Sequence, residues 1–348
     1  MTGRALLLSP SRGRGGGIER YVQTLEWALA AEGVTCRRLD LTGPGPRAHA
    51  RLLGLGRAAL RADPEPTRLI VAHRALLPVA ALLARDPAAA GVSVVCHGRE
   101  VWDARWLPRR TLERRLMQGA GVRVVAVSNF TAGALIRDSL AAVLPPGLCR
   151  EWFDTLAAST GRQHRGPGVR LATAFRLTEW QGKGLPRLMA AVSALGRPDV
   201  SLSICGSGQP PDDLLRLVRE HSWCTLRPGL PDAELARELS AADLFVLATH
   251  TTGGRRSVGE GFGLVLLEAQ VAGTPVVAPA HGGSREAYVD GVTGMAPADE
   301  SAEALTRTLE EMLKDPARLA WMGRQAAQWA RQAFAPERYA ELTVKRLL

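Results

Sequence analysis

Lysine is missing from the first half of this chain. Residues 1–165 carry 24 Arg, no Lys and 13 acidic residues, a net +11, while the remainder nets −1. A surface of that sign suits an anionic acceptor or a membrane face, unless it reflects only the arginine preference of a chain rich in Ala, Gly and Arg. The densest cluster, Arg105, Arg109, Arg110, Arg114 and Arg115, spreads around a helix rather than forming one stripe. No aromatic interleaving or nucleic-acid module accompanies it, so nucleic acid is not an expected partner. Weak membrane association through the basic N-terminal half stays open. Cysteine is scarce as well. Cys36, Cys96, Cys149, Cys205 and Cys224 show no CxxC and no metal spacing. That excludes a disulfide scaffold and leaves reduced thiols in a cytoplasmic protein, at most peripheral to the membrane. Long apolar runs are absent: Ala75 to Ala84, the longest, is too short to span a bilayer. Ala5–Leu8 before Ser9-Pro10 is short for a signal peptide and suits a first strand. There is no low-complexity tail, and no acidic cluster that would cage a metal.

What is present is alternation. The 348 residues suffice for two domains. Short apolar runs exchange with helical periods, the pattern of a parallel sheet with crossover helices. Strands are expected at Ala5–Ser9, Thr35–Leu41, Arg68–His73, Val92–His97 and Arg123–Ser128, until Pro145-Pro146-Gly147 stops the pattern. Residues 158–168, polar and rich in turn formers, make the best linker. A second alternation follows, with strands at Val169–Phe175, Val200–Cys205, Asp243–Ala248 and Thr274–Ala278. Helices are expected at about Leu185–Leu195, Asp212–His221, Asp232–Ala242 and Phe262–Ala272, with two or three more after Ser301. Open α/β sheets bind ligands at the carboxyl ends of their strands, so two such domains would face a ligand across a cleft.

The stretch Gly259-Glu260-Gly261-Phe262-Gly263-Leu264-Val265-Leu266-Leu267-Glu268 organises the rest. From Gly261 to Gly283 the only formal charge is Glu268, on an apolar helix. An unpaired charge buried there is costly, so something must satisfy it. The glycine turn before the helix leaves free backbone N–H groups at a positive dipole end, an anion site in the amides of Phe262–Val265. An anion at the helix start and a carboxylate two turns on suit a nucleoside diphosphate, the amides taking phosphate and Glu268 the ribose hydroxyls. The plainer alternative is a glycine bend before a core helix with one snorkelling Glu. Gly16 and Gly17 close a glycine-rich βα loop that allows close backbone approach to phosphate. Gly-x-Gly-x-x-Gly fits poorly, since Gly13 and Gly15 are followed by Ile18, and Asp40 is the only acid near the second strand's end. A nicotinamide oxidoreductase is therefore the remoter reading. Arg176 and Lys183 flank a loop at a strand end, where two cations would neutralise a diphosphate leaving group; a solvated surface pair is the alternative. His97 stands at a carboxyl strand end. Ser128 or Asn129 can cap the following helix, and Glu286 is read first as fixing a helix start. His250 to Val258 is a polar loop placed to grip a sugar.

Glu260 and Glu268 form an E-x7-E pair. With Gly273-Thr274-Pro275-Val276-Val277, Gly282-Gly283-Ser284-Arg285-Glu286 and Gly291-Val292-Thr293-Gly294, they resemble the signature of retaining glycosyltransferase family 4, the "glycosyl transferases group 1" of GT-B fold. The resemblance is strong beyond residue 170 and looser before it. It implies an α/β, GT-B architecture: two Rossmann-like domains with parallel sheets facing a central cleft. Residues 1–160 would be the acceptor-binding domain and 161–330 the donor-binding domain, with 331–348 a helix crossing back to the first. The implied reaction is retaining transfer of a sugar from a nucleoside diphosphate sugar, expected to be a UDP-sugar, to a small-molecule, glycan or lipid acceptor. No cofactor or metal is implied. Catalytic roles fall on His97, Glu260, Arg176 and Lys183. Donor contacts extend to Gly16, Gly17, Gly206 (in Gly206-Ser207-Gly208), Arg227 beside the base, and Glu260 to Val265 with Glu268. Pro145-Pro146-Gly147 replaces the family's Pro-Asn-Gly and removes an amide side chain. A catalytically silent sugar-nucleotide binder, or an enzyme coupling the sugar to a non-sugar acceptor, would keep every donor motif.

Overall fold

The structure, a computed structural model, describes residues 3–10, 16–102, 107–160, 168–251 and 259–348. Most of the glycine loop before Gly16, Arg105, the core of the linker stretch and residues 252–258 of the polar loop lie outside the described residues.

Among the described residues, twelve strands form two six-stranded parallel sheets. In the first half, β1 (Arg4–Ser9), α1 (Gly17–Ala31), β2 (Thr35–Asp40), α2 (Pro46–Ala62), β3 (Thr67–Val71), α3 (Leu77–Leu83) and β4 (Ala89–Cys96) come first. After them come α4 (Arg99–Trp102), α5 (Leu107–Met117), β5 (Val122–Ala126), α6 (Asn129–Leu135) and β6 (Ala142–Val143). The helix α7 (Arg150–Ser159) precedes the second half: β7 (Val169–Ala174), α8 (Leu185–Ala194), β8 (Val200–Gly206), α9 (Asp212–Arg219), β9 (Cys224–Pro228), α10 (Asp232–Ser240) and β10 (Leu244–Val246). The chain ends with α11 (Leu264–Val271), β11 (Val276–Val277), β12 (Gly294–Met295), α12 (Ala302–Leu313), α13 (Pro316–Ala333) and α14 (Pro336–Leu347). Strand orders are β2-β1-β3-β4-β5-β6 and β12-β11-β10-β7-β8-β9.

Side-chain alternation explains why both faces of each sheet are covered. Leu6 and Leu8 of β1, with Leu69, Val71, Val92 and Val94, pack under α2 and α3. The intervening Ala5, Leu7, Ile70 and Val95 face the opposite core, with Tyr21, Val22 and Leu25 of α1. In the second sheet Leu171, Leu202, Leu244 and Val246 pack against α8 and α12, while Ala172, Phe245 and Leu247 join the α1 cluster. One core therefore runs between the sheets. Two helices stitch it: α7 packs on α10 and α11, and α14 packs along α1.

Nine of the strands lie close to where the sequence places them. The three it does not show, β6, β9 and β12, are edge strands, two of them only two residues long. An edge strand is half-exposed and lacks the continuous apolar run that marks an interior one. The helix α7 also goes unmarked after Pro145-Pro146-Gly147, although Trp152, Phe153 and Leu156 fall on one buried face.

Candidate functional site

The carboxyl ends of both sheets border one cavity of about 890 Å³. Its second-sheet wall begins at Gly263, a left-handed residue (φ 83°) that turns the chain into α11. No backbone carbonyl among the described residues takes the amides of Phe262–Val265. Those N–H groups open onto the cavity at the positive end of α11. Phe262 contributes only its backbone, since its ring is buried against Phe334.

Glu260 sits just before that turn. Its Oε2 accepts from Lys183 Nζ at 2.9 Å and from Thr249 Oγ1 at 3.1 Å. Burial works to lower the Lys183 pKa, but the charge and hydrogen bond of Glu260 outweigh it, and the pKa is raised. Lys183 therefore stays cationic through the neutral range. Gly184 behind it has φ 73°, and a Cβ there would overlap the Ala248 carbonyl, so only glycine lets this loop lie against the segment that follows β10. Gly206 is constrained alike by the Phe175 carbonyl. Arg176 lines the same end of the cavity; a Cβ at Gly16 would meet its Nη2 at 2.8 Å. The glycine loop of the first half thus meets the cationic loop of the second.

Glu268 is only 5% exposed. The cost of that burial is met by Trp152 Nε1, which donates to Oε1 at 2.9 Å, and by Arg20 Nε at 3.2 Å from the same oxygen. Burial still raises its pKa, against Arg20 and Trp152, which lower it. Across the cavity, His97 Nε2 donates to the Ala72 carbonyl at 2.7 Å. Burial lowers the His97 pKa further than the nearby Glu100 raises it. The ring is therefore neutral near pH 7, with Nδ1 as its hydrogen-bond acceptor. Glu100 accepts from the His97 amide at 2.5 Å and lies 3.8 Å from His73 Nε2.

The two walls touch through glycines. A Cβ on Gly261 would overlap the His97 carbonyl, and one on Gly283 would come within 2.6 Å of Ser128 Oγ. Glu286 does fix a helix start, but across the cleft: it accepts from the amides of Asn129 (3.0 Å) and Phe130 (3.1 Å) at the head of α6. Gly261→Ala should consequently hinder closure rather than folding. We expect kcat/KM to fall at least about tenfold, roughly 1.4 kcal/mol, with an unchanged melting temperature; steady-state kinetics beside thermal unfolding checks this.

Residues 171–329 match the family model described as Glycosyl transferases group 1. A GDP-mannose-dependent alpha-(1-6)-phosphatidylinositol monomannoside mannosyltransferase of Mycolicibacterium smegmatis is 34% identical over 295 residues, 77% of this chain and 76% of that protein. The chain belongs to the group 1 glycosyltransferases. A D-inositol 3-phosphate glycosyltransferase of Arthrobacter sp. FB24 is 32% identical over 67% of this chain and 56% of its own length. Among solved structures, sucrose-phosphate synthase from Thermosynechococcus elongatus superposes with a TM-score of 0.78 at 20% identity, covering 99% of this chain and 98% of that one. Anabaena Alr3699/HepE in complex with UDP-glucose gives 0.74 at 17%, covering 98% of each. These two likenesses establish the GT-B fold.

In this glycosyltransferase, Gly16, Gly17, His97, Arg176, Lys183, Gly206, Glu260 to Val265 and Glu268 all border the cavity. Arg227 does not. It is half-exposed on the edge strand β9 and lies 4.0 Å from Glu238, while Gly229 and Leu230 turn inward in its place. Arg20 and Arg74, which border the cavity, and Trp152, buried behind Glu268, are not marked by the sequence reading. Arg74 is fully buried, with Nε 2.7 Å from Glu113 and Nη1 3.5 Å from Asp138. Its Nη1 and Nη2 make no hydrogen bond among the described residues. Trp152 was within reach of the helical spacing of α7. Nothing local marks Arg20 or Arg74, because their partners are far away in sequence.

Proposed function

We propose that this glycosyltransferase moves a mannosyl group from GDP-mannose to a hydroxyl of an inositol- or mannose-bearing acceptor, with retention of configuration and without a metal. The observation that carries the reading is the convergence of α11's free amides, Lys183, Arg176 and Glu268 on one cavity. The relatives' GDP-mannose and phosphatidylinositol mannoside specificities favour guanosine over the uridine expected from sequence, and a lipid or inositol-type acceptor over a small specialised metabolite.

The diphosphate lies along the α11 N-terminus, with its growing charge met by Lys183 and Arg176 as the glycosidic bond breaks. Glu268 takes the ribose hydroxyls. Glu260, fixed by Lys183 and Thr249, and the neutral His97 hold the sugar. An oxocarbenium-like centre forms, and the acceptor hydroxyl attacks on the face the diphosphate leaves, giving its proton to that phosphate. Retaining glycosidases instead use a second carboxylate close to the sugar. The acceptor occupies the first-half end, where Arg74 and His73 offer donors to hydroxyl or phosphate oxygens. No helix among the described residues is long and apolar enough to cross a membrane; a lipid acceptor would be met peripherally, on the basic first half.

The test is product analysis. GDP-mannose and UDP-glucose are offered with phosphatidylinositol, its monomannoside and free inositol phosphate, and the product linkage is read by NMR. An α-mannoside formed only from GDP-mannose is expected. Transfer from UDP-glucose alone would move the reading to a uridine donor, and an inverted linkage would overturn retention.

A further inference from the structure

Arg20 lies on the first turn of α1, one turn beyond Gly16, and reaches out of its own half of the molecule. Its guanidinium forks onto Asp232 at the head of α10, with Nη2 2.8 Å from Oδ1 and Nη1 3.3 Å from Oδ2. Its Nε faces Glu268 Oε1 at 3.2 Å, and its Cζ stacks over the Trp152 ring at 4.4 Å. Two carboxylates and one aromatic face from the second-sheet side thus converge on one cation from the first. Arg20, Glu268 and Leu230 all border the cavity. The geometry combines a bidentate arginine–carboxylate pair at the exposed rim with a cation–π contact and a buried carboxylate on the inner side.

We propose that Arg20 is a positioning residue that latches the two halves together at the ribose end of the donor site. The inference rests on the reading of Glu268 as the ribose acceptor. Arg20 and Trp152 both bind Oε1; among the described residues no protein group takes Oε2, which is left to the nucleotide. Arg20 thereby orients the carboxylate and ties it to closure, so that the first turn of α1 serves both ends of the donor. Gly16 lies against the diphosphate loop, and Arg20 holds the ribose carboxylate. Without Arg20 the halves lose their tie at that end, and water reaches the reacting centre more often.

The experiment uses the full chain as wild type, Arg20→Ala, Arg20→Lys and Asp232→Asn. Asp232 is largely exposed, so its variant tests the latch without risk to the fold. Small-angle scattering without nucleotide is compared across the set, followed by donor KM, kcat and the fraction of donor hydrolysed rather than transferred. Arg20→Ala should enlarge the ligand-free particle, raise donor KM about tenfold or more with a smaller change in kcat, and increase the hydrolysed share. Asp232→Asn should move all three the same way by less. Arg20→Lys should restore little, because an ammonium can neither fork nor stack as a guanidinium does. Unchanged scattering together with unchanged KM in Arg20→Ala would overturn the latch. If the wild type bound no sugar nucleotide, the donor reading would fall instead, while the scattering comparison would still report on the tie between the halves.

Discussion

Lys183→Ala should lower kcat by about 10²–10³, roughly 3–4 kcal/mol of transition-state stabilisation. In the proposed reaction Lys183 is the cation that meets the departing diphosphate, and it borders the cavity. Its Nζ is anchored on Glu260 at 2.9 Å, and Glu260 is itself fixed by Thr249. A preorganised charge in a partly dry cleft needs no reorganisation as the leaving group develops its negative charge. Glu260 keeps Lys183 protonated through the neutral range, so this residue adds no pH dependence near pH 7. Removing it also leaves the Glu260 carboxylate without its cation, where it would repel the diphosphate. The loss should therefore exceed that of a simple binding contact and appear in kcat as well as in KM. Rapid-quench transfer assays measure it. A change below threefold in kcat/KM would remove Lys183 from the reaction.

Glu268→Gln comes next in size. It keeps the shape of the side chain but removes the charge that faces Arg20 and that, in the proposed reading, accepts the ribose hydroxyls. Hydrogen bonds to a charged group contribute about 1.5–3 kcal/mol, so nucleotide affinity should fall about ten- to hundredfold. A pH signature accompanies it. Burial raises the Glu268 pKa above the ordinary carboxylate value. Acceptance of two hydroxyls requires the ionised form, so affinity is full above that raised pKa and weakens as pH falls through it, sooner than for an exposed carboxylate. The same pKa makes ionised Glu268 a net cost to folding at neutral pH in the empty protein. Calorimetric titrations between mildly acidic and neutral pH should show this slope in wild type and lose it in Glu268→Gln. A slope of equal size in both would place the titrating group elsewhere.

The fold was legible where both faces of a strand are buried. Runs such as Ala5–Ser9 and Val92–His97 announce themselves because a doubly covered strand is apolar at every position. Edge strands such as β9 carry Thr, Arg and Pro, and read as loop. The wall of the site supplied by α11 was also legible. Its features are local in sequence: a glycine turn, free amides, and one carboxylate on an apolar helix, a cost that demanded a partner. The identity of that partner was not legible. Trp152 and Arg20 meet Glu268 only because α7 crosses to the second half and α1 faces it, a consequence of how the sheets pack. Arg74 is hidden for the same reason, since Glu113 and Asp138 come to it from α5 and the turn after α6. Arg227 lies outside the cavity lining for a smaller cause: on an outer edge strand, alternate side chains turn away from the cleft.

The measurement that tests the donor site most directly is a thermal-shift panel with GDP, UDP, dTDP, ADP and NADH on wild type and Glu268→Ala. A ligand at a hundred times its Kd should stabilise the native state by about 2.7 kcal/mol. The expected result is a clear shift with one nucleoside diphosphate, GDP first, that disappears in Glu268→Ala. No shift with any of them, or a shift with NADH alone, would contradict a nucleoside diphosphate seated between the α11 N-terminus and Glu268.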